Sequence, residues 1–549
     1  MPYLQKIDRA RNIKQSAPPQ PISRLAAEAL AAFTKESQTV DDVGIAKIEV
    51  HEAISNVAWA YEKLRQAIDY QDEHLLRKNA IERILRRRLV AGATAEGIAE
   101  PLVLELIRGR YLLNNSVPTT KIDEAELVIN NFVYLWTHIP TQASHSEHEK
   151  LFQWYLGLLS VQLNELFAPP SRDEALVKLM FATTQPDITF AAGTLSDEEK
   201  STQIYIAIHR TLLKSDPSII RYHLFIRRFP EWLDPDEAAV TRLGQAFPDV
   251  RRQIEAELIH PAGELLQRLM KKYAIIFEVF DDIARKYGSA AREEMIHPDQ
   301  LEEDVRQAYV GRRKTITGKI TRSVIRSIVY VFLTKMVLTL LIELPVDRLF
   351  AAGAKLDYTP FLINTIFPPF LLFMIGVTIR PPGKRNEDGV IAKVKDLVYQ
   401  ADRRHAIVKP RKPIRRSTLF AVLYRIIYSL TFIMVFGAII YGLTYFKFTP
   451  ISTVIFLLFL TIVSFFGIRV RTLAKELVVV DQRENIFTVL FDFFSVPILQ
   501  VGRWISLRVP KINIMIFFLD VIIEAPFKAF LEATEGFFGF LREKREEIY

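Results

Sequence analysis

Long apolar stretches in the second half of the sequence constrain the fold more than any other feature. An α-helix rises 1.5 Å per residue, so about twenty apolar residues cross the roughly 30 Å hydrocarbon core of a bilayer. The stretches that meet this requirement predict four membrane-spanning helices, at 323–342, 361–379, 419–446 and 451–468. The second contains Asn364 and the pair Pro368 and Pro369, which predicts a kink. The chain is therefore predicted to be an integral membrane protein.

Lysine and arginine residues beside these stretches predict the orientation. Basic residues are preferentially retained on the cytoplasmic side of a membrane. The loop 380–417 is strongly basic, whereas 343–359 contains only Arg348 and Lys355, and the turn after the third span contains Lys447 alone. We expect two helical hairpins with short outer loops, in the plasma or inner membrane, with the N-terminus and the C-terminus in the cytoplasm.

The sequence before the first span predicts a helical region. A flexible tail, 1–22, carries three closely spaced prolines, and apolar residues in 43–69 then recur at steps of three to five, which is typical of a helix with one buried face. Prolines farther along separate about ten to twelve candidate helices. We predict an all-α fold in which 23–310 is a cytoplasmic region of one or two subdomains and 311–470 is the transmembrane domain.

The remainder, 471–549, is apolar but interrupted by charges and prolines. Two further spans, at 486–501 and 512–531, would bury three carboxylates and would place several basic residues outside, against the charge rule. From Asp520 onwards, charged residues recur every four positions, which places a polar stripe on an otherwise apolar helix. We favour amphipathic helices that lie at the membrane interface or re-enter the membrane, followed by a charged C-terminus. The alternative of two further spans stays open.

Charged residues within the apolar stretches are the candidate functional residues. An unpaired ammonium at the position of Lys335, inside the first span, would cost about 2.5 to 3.5 kcal/mol. Lys335 could bind an anion or join a proton relay, which defines a candidate charge site of Lys335, Asp492, Asp520 and Glu524. We favour the structural alternative, in which Lys335 pairs inside the helix bundle or reaches toward an interface.

A basic segment before the first span predicts contacts with anionic lipid headgroups, at about 1 kcal/mol per positive residue. Its members are Arg312, Arg313, Lys314, Lys319 and Arg322. The membrane topology accounts for the net charge of +8, so nucleic acid is not an expected partner.

Other motifs give little support to catalysis. The chain has no cysteine, which excludes thiol nucleophiles and cysteine-ligated metals. His145 and His148 are three residues apart, but the order of the zinc-protease motifs is missing. No catalytic, cofactor-binding or metal-ligating residues are predicted.

Three hypotheses for the function follow. The first is a non-enzymatic membrane-anchored scaffold that binds proteins through its helical region. The second is a subunit of an oligomeric transporter or channel that uses the candidate charge site. The third is a membrane-bound enzyme without a recognisable motif. The expected partners are the bilayer, its anionic headgroups and other proteins, and a homo-oligomer stays open.

Overall fold

A computed structural model describes most of the chain. The described residues are 18–37, 46–50, scattered positions between 55 and 65, 75–90, 97–140, 144–190, 195–350, 359–379, 382–400, 418–479 and 486–508. The structure is 85% helix and has no strand in these ranges, so the predicted all-helical class is confirmed. The expectations for 1–17, for the part of the outer loop at 351–358 that contains Lys355, for the loop 401–417 and for 512–531, which contains Asp520 and Glu524, lie outside the described residues.

The α-helices of the described residues are numbered in chain order. They are α1 (Arg24–Ser37), α2 (Leu76–Val90), α3 (Ala99–Arg108), α4 (Thr120–Thr137), α5 (His145–Phe167), α6 (Ser171–Thr184), α7 (Asp197–Ile208), α8 (Pro217–Arg228), α9 (Glu237–Leu258), α10 (Gly263–Tyr287), α11 (Ala291–Glu294), α12 (Pro298–Leu338), α13 (Leu344–Phe350), α14 (Thr359–Thr378), α15 (Lys384–Gln400), α16 (Thr418–Tyr445), α17 (Pro450–Lys475) and α18 (Ile486–Arg508). Short π-helical turns, His209–Leu213 and Thr339–Glu343, follow α7 and α12.

The chain divides into two compact units. One, called the membrane unit below, comprises the described residues of Met1–Leu30, Ala182–Thr194 and Arg268–Pro510. The other, called the globular unit, comprises the described residues of Ala31–Phe181 and Leu195–Gln267.

The core of the globular unit is built around α5. Ten of its residues are buried, among them Trp154 and Tyr155, and the helix packs against α2, α4 and α8. Helix starts are set by side chains that satisfy first-turn amides. Ser196 accepts a hydrogen bond from the Glu199 amide at 3.1 Å, and the Glu199 carboxylate accepts one from the Ser196 amide at 2.8 Å. This capping box fixes the beginning of α7.

The membrane unit contains four helices that are long and apolar enough to cross a membrane. They lie at Pro298–Val346, Thr359–Thr378, Val422–Tyr445 and Pro450–Thr472. The four apolar stretches identified in the sequence are thus confirmed as candidate spans. The first is the apolar end of a longer helix, because α12 runs without a break for 41 residues from Pro298.

Close packing between the helices of the membrane unit depends on glycine. A β-carbon at Gly467 in α17 would lie 2.6 Å from the Ile375 Cδ1 atom of α14. A β-carbon at Gly502 in α18 would overlap the Thr461 carbonyl oxygen and lie 2.8 Å from the Phe465 Cβ atom. Small residues allow helix backbones to approach in this way in membranes. Helix α18 therefore packs directly against the middle of α17.

We expect Gly502→Ala to destabilise the bundle by about 1 to 3 kcal/mol, because the added methyl group meets a backbone atom that cannot rotate away. The free energy of unfolding can be measured by denaturant titration in detergent micelles. Gly437→Ala in α16 is the matched control, since nothing lies within 4 Å of a β-carbon there. Equal effects of the two substitutions would contradict the close contact between α17 and α18.

Candidate functional site

A buried ion pair lies within the first candidate span. The side chains of Lys335 and Glu343 are 0% and 2% exposed, and the Lys335 ammonium donates a hydrogen bond to the Glu343 carboxylate. The Thr339 hydroxyl donates to the second carboxylate oxygen at 3.1 Å. The ring of Phe459, on α17, is centred 5.1 Å from the Lys335 Nζ atom. The lysine thus has both an opposite charge and an aromatic face as neighbours.

The position of this pair follows from the local helix geometry. Lys335 lies near the end of α12, and Glu343 closes the π-helical turn Thr339–Glu343 that follows. Residues eight apart on a regular helix are separated by about 12 Å along its axis, so the two long side chains meet across roughly two turns. The two charges neutralise each other inside the bundle, which reduces the cost of placing either in lipid.

A second group of buried polar side chains lies where α14 meets α17. Asn364 is 0% exposed, and its Nδ2 atom is 3.5 Å from the carbonyl oxygen of Ser452. Within the described residues, the Asn364 Oδ1 atom and the Thr365 hydroxyl have no hydrogen-bond partner. Unsatisfied polar atoms are costly in a dry environment. This position is therefore able to accept a water molecule or a polar ligand.

A set of ion pairs, called the brace below, joins α10, α12 and α15 on the N-terminal side of the first span. Its most extensive contact is made by Arg312, which donates hydrogen bonds to the Asp282 carboxylate at 2.8 Å and to the Glu278 main-chain carbonyl at 3.1 Å, and also contacts the Glu278 carboxylate. The other pairs are Lys286 with Asp304 at 2.7 Å, Arg306 with Glu387 at 2.7 Å and Lys395 with Glu302 at 2.5 Å.

Asn386 completes the brace with a fully buried amide. Its Nδ2 atom donates to the Tyr309 hydroxyl at 2.8 Å and to the Leu477 carbonyl at 2.7 Å. Its Oδ1 atom accepts from the Val479 amide at 2.7 Å. One side chain, 4% exposed, thereby holds α12, α15 and the segment after α17 together.

The residues predicted from sequence are only partly brought together. Lys335 is paired with Glu343, a residue that the sequence assigned to a loop. Asp492 lies on α18, but its side chain is outside the described residues, as are Asp520 and Glu524. The candidate charge site as a whole therefore stays a prediction.

The predicted lipid-binding residues fall into two groups. Arg312 is paired within the brace, and an Arg313 guanidinium nitrogen is 3.9 Å from the Glu387 carboxylate. Lys314, Lys319 and Arg322 are exposed. These three exposed residues are better placed to contact lipid headgroups, and such contacts stay a prediction.

Histidines appear in two places in the globular unit. His145 and His148 are exposed at the start of α5, where hydrogen bonds from Lys150 and Arg251 lower the pKa of the Glu147 carboxyl. A different group, Glu165, Glu174 and His223, brings three ligand atoms of the kind that metals bind within 4.8 Å of one another. No sequence motif marks this group, because its members lie on three separate helices.

No family model, curated protein or solved structure matches the chain, so its function has to be inferred from its own residues.

Proposed function

We propose that the protein is a membrane-anchored scaffold, with the globular unit on the cytoplasmic side and available to protein partners. The basic loops of the sequence favour this orientation. The spans anchor the protein in the membrane, and the globular unit binds the partners.

The observation that carries the proposal is the brace beneath the first span. Arg312, Arg306 and Lys395 pair with carboxylates of neighbouring helices, and Asn386 satisfies three buried groups at once. Networks in which every buried polar group has a partner make a structure rigid. A rigid base suits a protein that holds other molecules at a fixed position beside the membrane.

A second candidate function, a subunit of an oligomeric transporter, is favoured by a different observation. The Lys335–Glu343 pair and the unsatisfied Asn364 amide oxygen are buried in helices that are apolar enough to span a bilayer. Intramembrane ionisable residues commonly mark ion or substrate pathways. Purified protein in liposomes should then show a flux that Lys335→Met abolishes.

Introduced cysteines test the scaffold proposal, because the chain contains no cysteine and each new thiol reacts alone. Leu127 and Ile259 are suitable positions in the globular unit, since they are 62% and 80% exposed. We expect both thiols to be protected from an impermeant maleimide in intact cells and to react after permeabilisation. A heterobifunctional thiol crosslinker should then attach a defined protein partner to at least one of them, also in a Lys335→Met background.

Lys447→Cys is the control for sidedness, because it lies in the turn between α16 and α17 on the opposite side in this topology. It should react in intact cells. Labelling of Leu127→Cys from outside would reject the orientation. A flux that depends on Lys335, together with no protein adduct at either position, would favour the transporter instead.

A further inference from the structure

Three side chains in the globular unit converge from helices that are far apart in sequence. Glu165 lies near the end of α5, Glu174 in the first turn of α6 and His223 in the middle of α8. One ligand atom from each lies within 4.8 Å of the other two. The His223 Nε2 atom is 3.0 Å from a Glu165 carboxylate oxygen.

The charge of this group is incompletely balanced by protein cations. Among the described residues, neither Glu165 nor Glu174 has a lysine or arginine nitrogen within 4.0 Å, and the imidazole of His223 is the basic group beside them. Two carboxylates this close repel each other unless a cation lies between them.

A buried histidine beside the group provides an independent observation. His209 is 2% exposed, and its ring centre is 5.1 Å from that of His223. Its Nδ1 atom is 3.2 Å from the Ser215 hydroxyl, whereas its Nε2 atom has no hydrogen-bond partner in the described part of the chain. When Nδ1 donates to Ser215, Nε2 is an unused acceptor.

We propose that Glu165, Glu174 and His223 bind a divalent transition-metal ion, with a metal-bound water in the fourth position that donates a hydrogen bond to the His209 Nε2 atom. Two carboxylates neutralise the charge of a divalent ion, and the neutral imidazole adds a nitrogen ligand. A site of mixed oxygen and nitrogen ligands suits Zn²⁺, Fe²⁺ or Mn²⁺, whereas Ca²⁺ and Mg²⁺ prefer oxygen ligands alone. Three protein ligands with one open position are a common arrangement for zinc.

Binding of the ion should stabilise the globular unit, because of where its ligands lie. Because each ligand lies on a different helix, the ion would connect the end of α5, the beginning of α6 and the middle of α8. A ligand that binds only the folded state stabilises the folded protein. The gain in the free energy of unfolding grows with the logarithm of the ratio of free ligand concentration to Kd. The globular unit should therefore unfold at a higher temperature when the ion is present.

Cobalt provides the test, because Co²⁺ takes the same ligands as Zn²⁺ and gives visible absorption bands. The full chain, purified in detergent and stripped with EDTA, should bind Co²⁺ with one ion per chain, show these bands and unfold at a higher temperature. Glu165→Gln and His223→Gln should each weaken binding by about 100-fold or more. His148→Gln is the matched control, since this exposed histidine of α5 is outside the proposed site, and it should leave binding unchanged.

The result does not depend on the folding of a single variant. Glu174 is exposed, so Glu174→Gln leaves the core intact and should still weaken Co²⁺ binding. The unfolding temperatures of all variants without metal provide the check on folding. Absence of Co²⁺ bands in the native chain, or equal binding by the native chain and His223→Gln, would overturn the proposal, whatever partners the globular unit has.

Discussion

Glu343→Leu should lower the free energy of unfolding of the membrane unit by about 3 to 5 kcal/mol, the usual effect of removing one member of a buried ion pair. The substitution leaves the Lys335 ammonium, which is 0% exposed, without its carboxylate. The nearby Phe459 ring offsets only a part of this loss. Titration of the purified protein from mild detergent into a denaturing one, followed by helix content, measures the difference.

The double variant Lys335→Met and Glu343→Leu separates the charge effect from a packing effect. Apolar residues of similar volume often replace a buried pair without loss. We expect the double variant to unfold within about 1 kcal/mol of the native chain. If the double variant is as unstable as Glu343→Leu alone, the loss of stability comes from altered packing and not from the unpaired charge of Lys335.

Asn386→Ala should destabilise the brace by about 3 kcal/mol or more, because each buried group that loses its hydrogen bond costs about 1 to 3 kcal/mol. The substitution removes the partner of the Tyr309 hydroxyl, the Leu477 carbonyl and the Val479 amide together. Hydrogen exchange of the Val479 amide should become faster even under conditions in which the spans remain folded.

Asp388→Ala is the control for Asn386→Ala. It changes an exposed residue of the same helix, α15, and should alter stability by less than about 0.5 kcal/mol. Comparable exchange of the Val479 amide in both variants would mean that the brace does not depend on Asn386.

The spans could be predicted from sequence because crossing a bilayer is a local property. The length and apolarity of one segment decide whether that segment can cross a bilayer. The four stretches identified in the sequence correspond to the four candidate spans of the structure. The kink at Pro368 and Pro369 stays a prediction, although both prolines lie inside α14. The cytoplasmic location of the globular unit and the charge-based orientation also stay predictions.

The partners of the candidate site residues could not be predicted, for a physical reason in each case. Glu343 follows the apolar stretch directly, so a window of hydropathy assigns it to a loop, whereas the continuation of the helix through Thr339–Glu343 buries it. Asn386 lies in a segment whose basic residues dominate any reading of the sequence, so this single amide does not stand out. Its role depends on Leu477 and Val479, about ninety residues away, and pairing at that distance depends on tertiary packing alone.

The unbroken course of α12 has a mechanical consequence. Its 41 residues correspond to about 60 Å, and the 25 residues before position 323 correspond to about 37 Å. A helix tilts when bilayer thickness changes. A change of about 10° in the tilt of this one rod would displace its far end by about 6 Å, if the pivot is at the membrane surface. In a bilayer, the helix would therefore act as a lever arm, so that a small change in bilayer thickness would move its far end together with the helices paired with it.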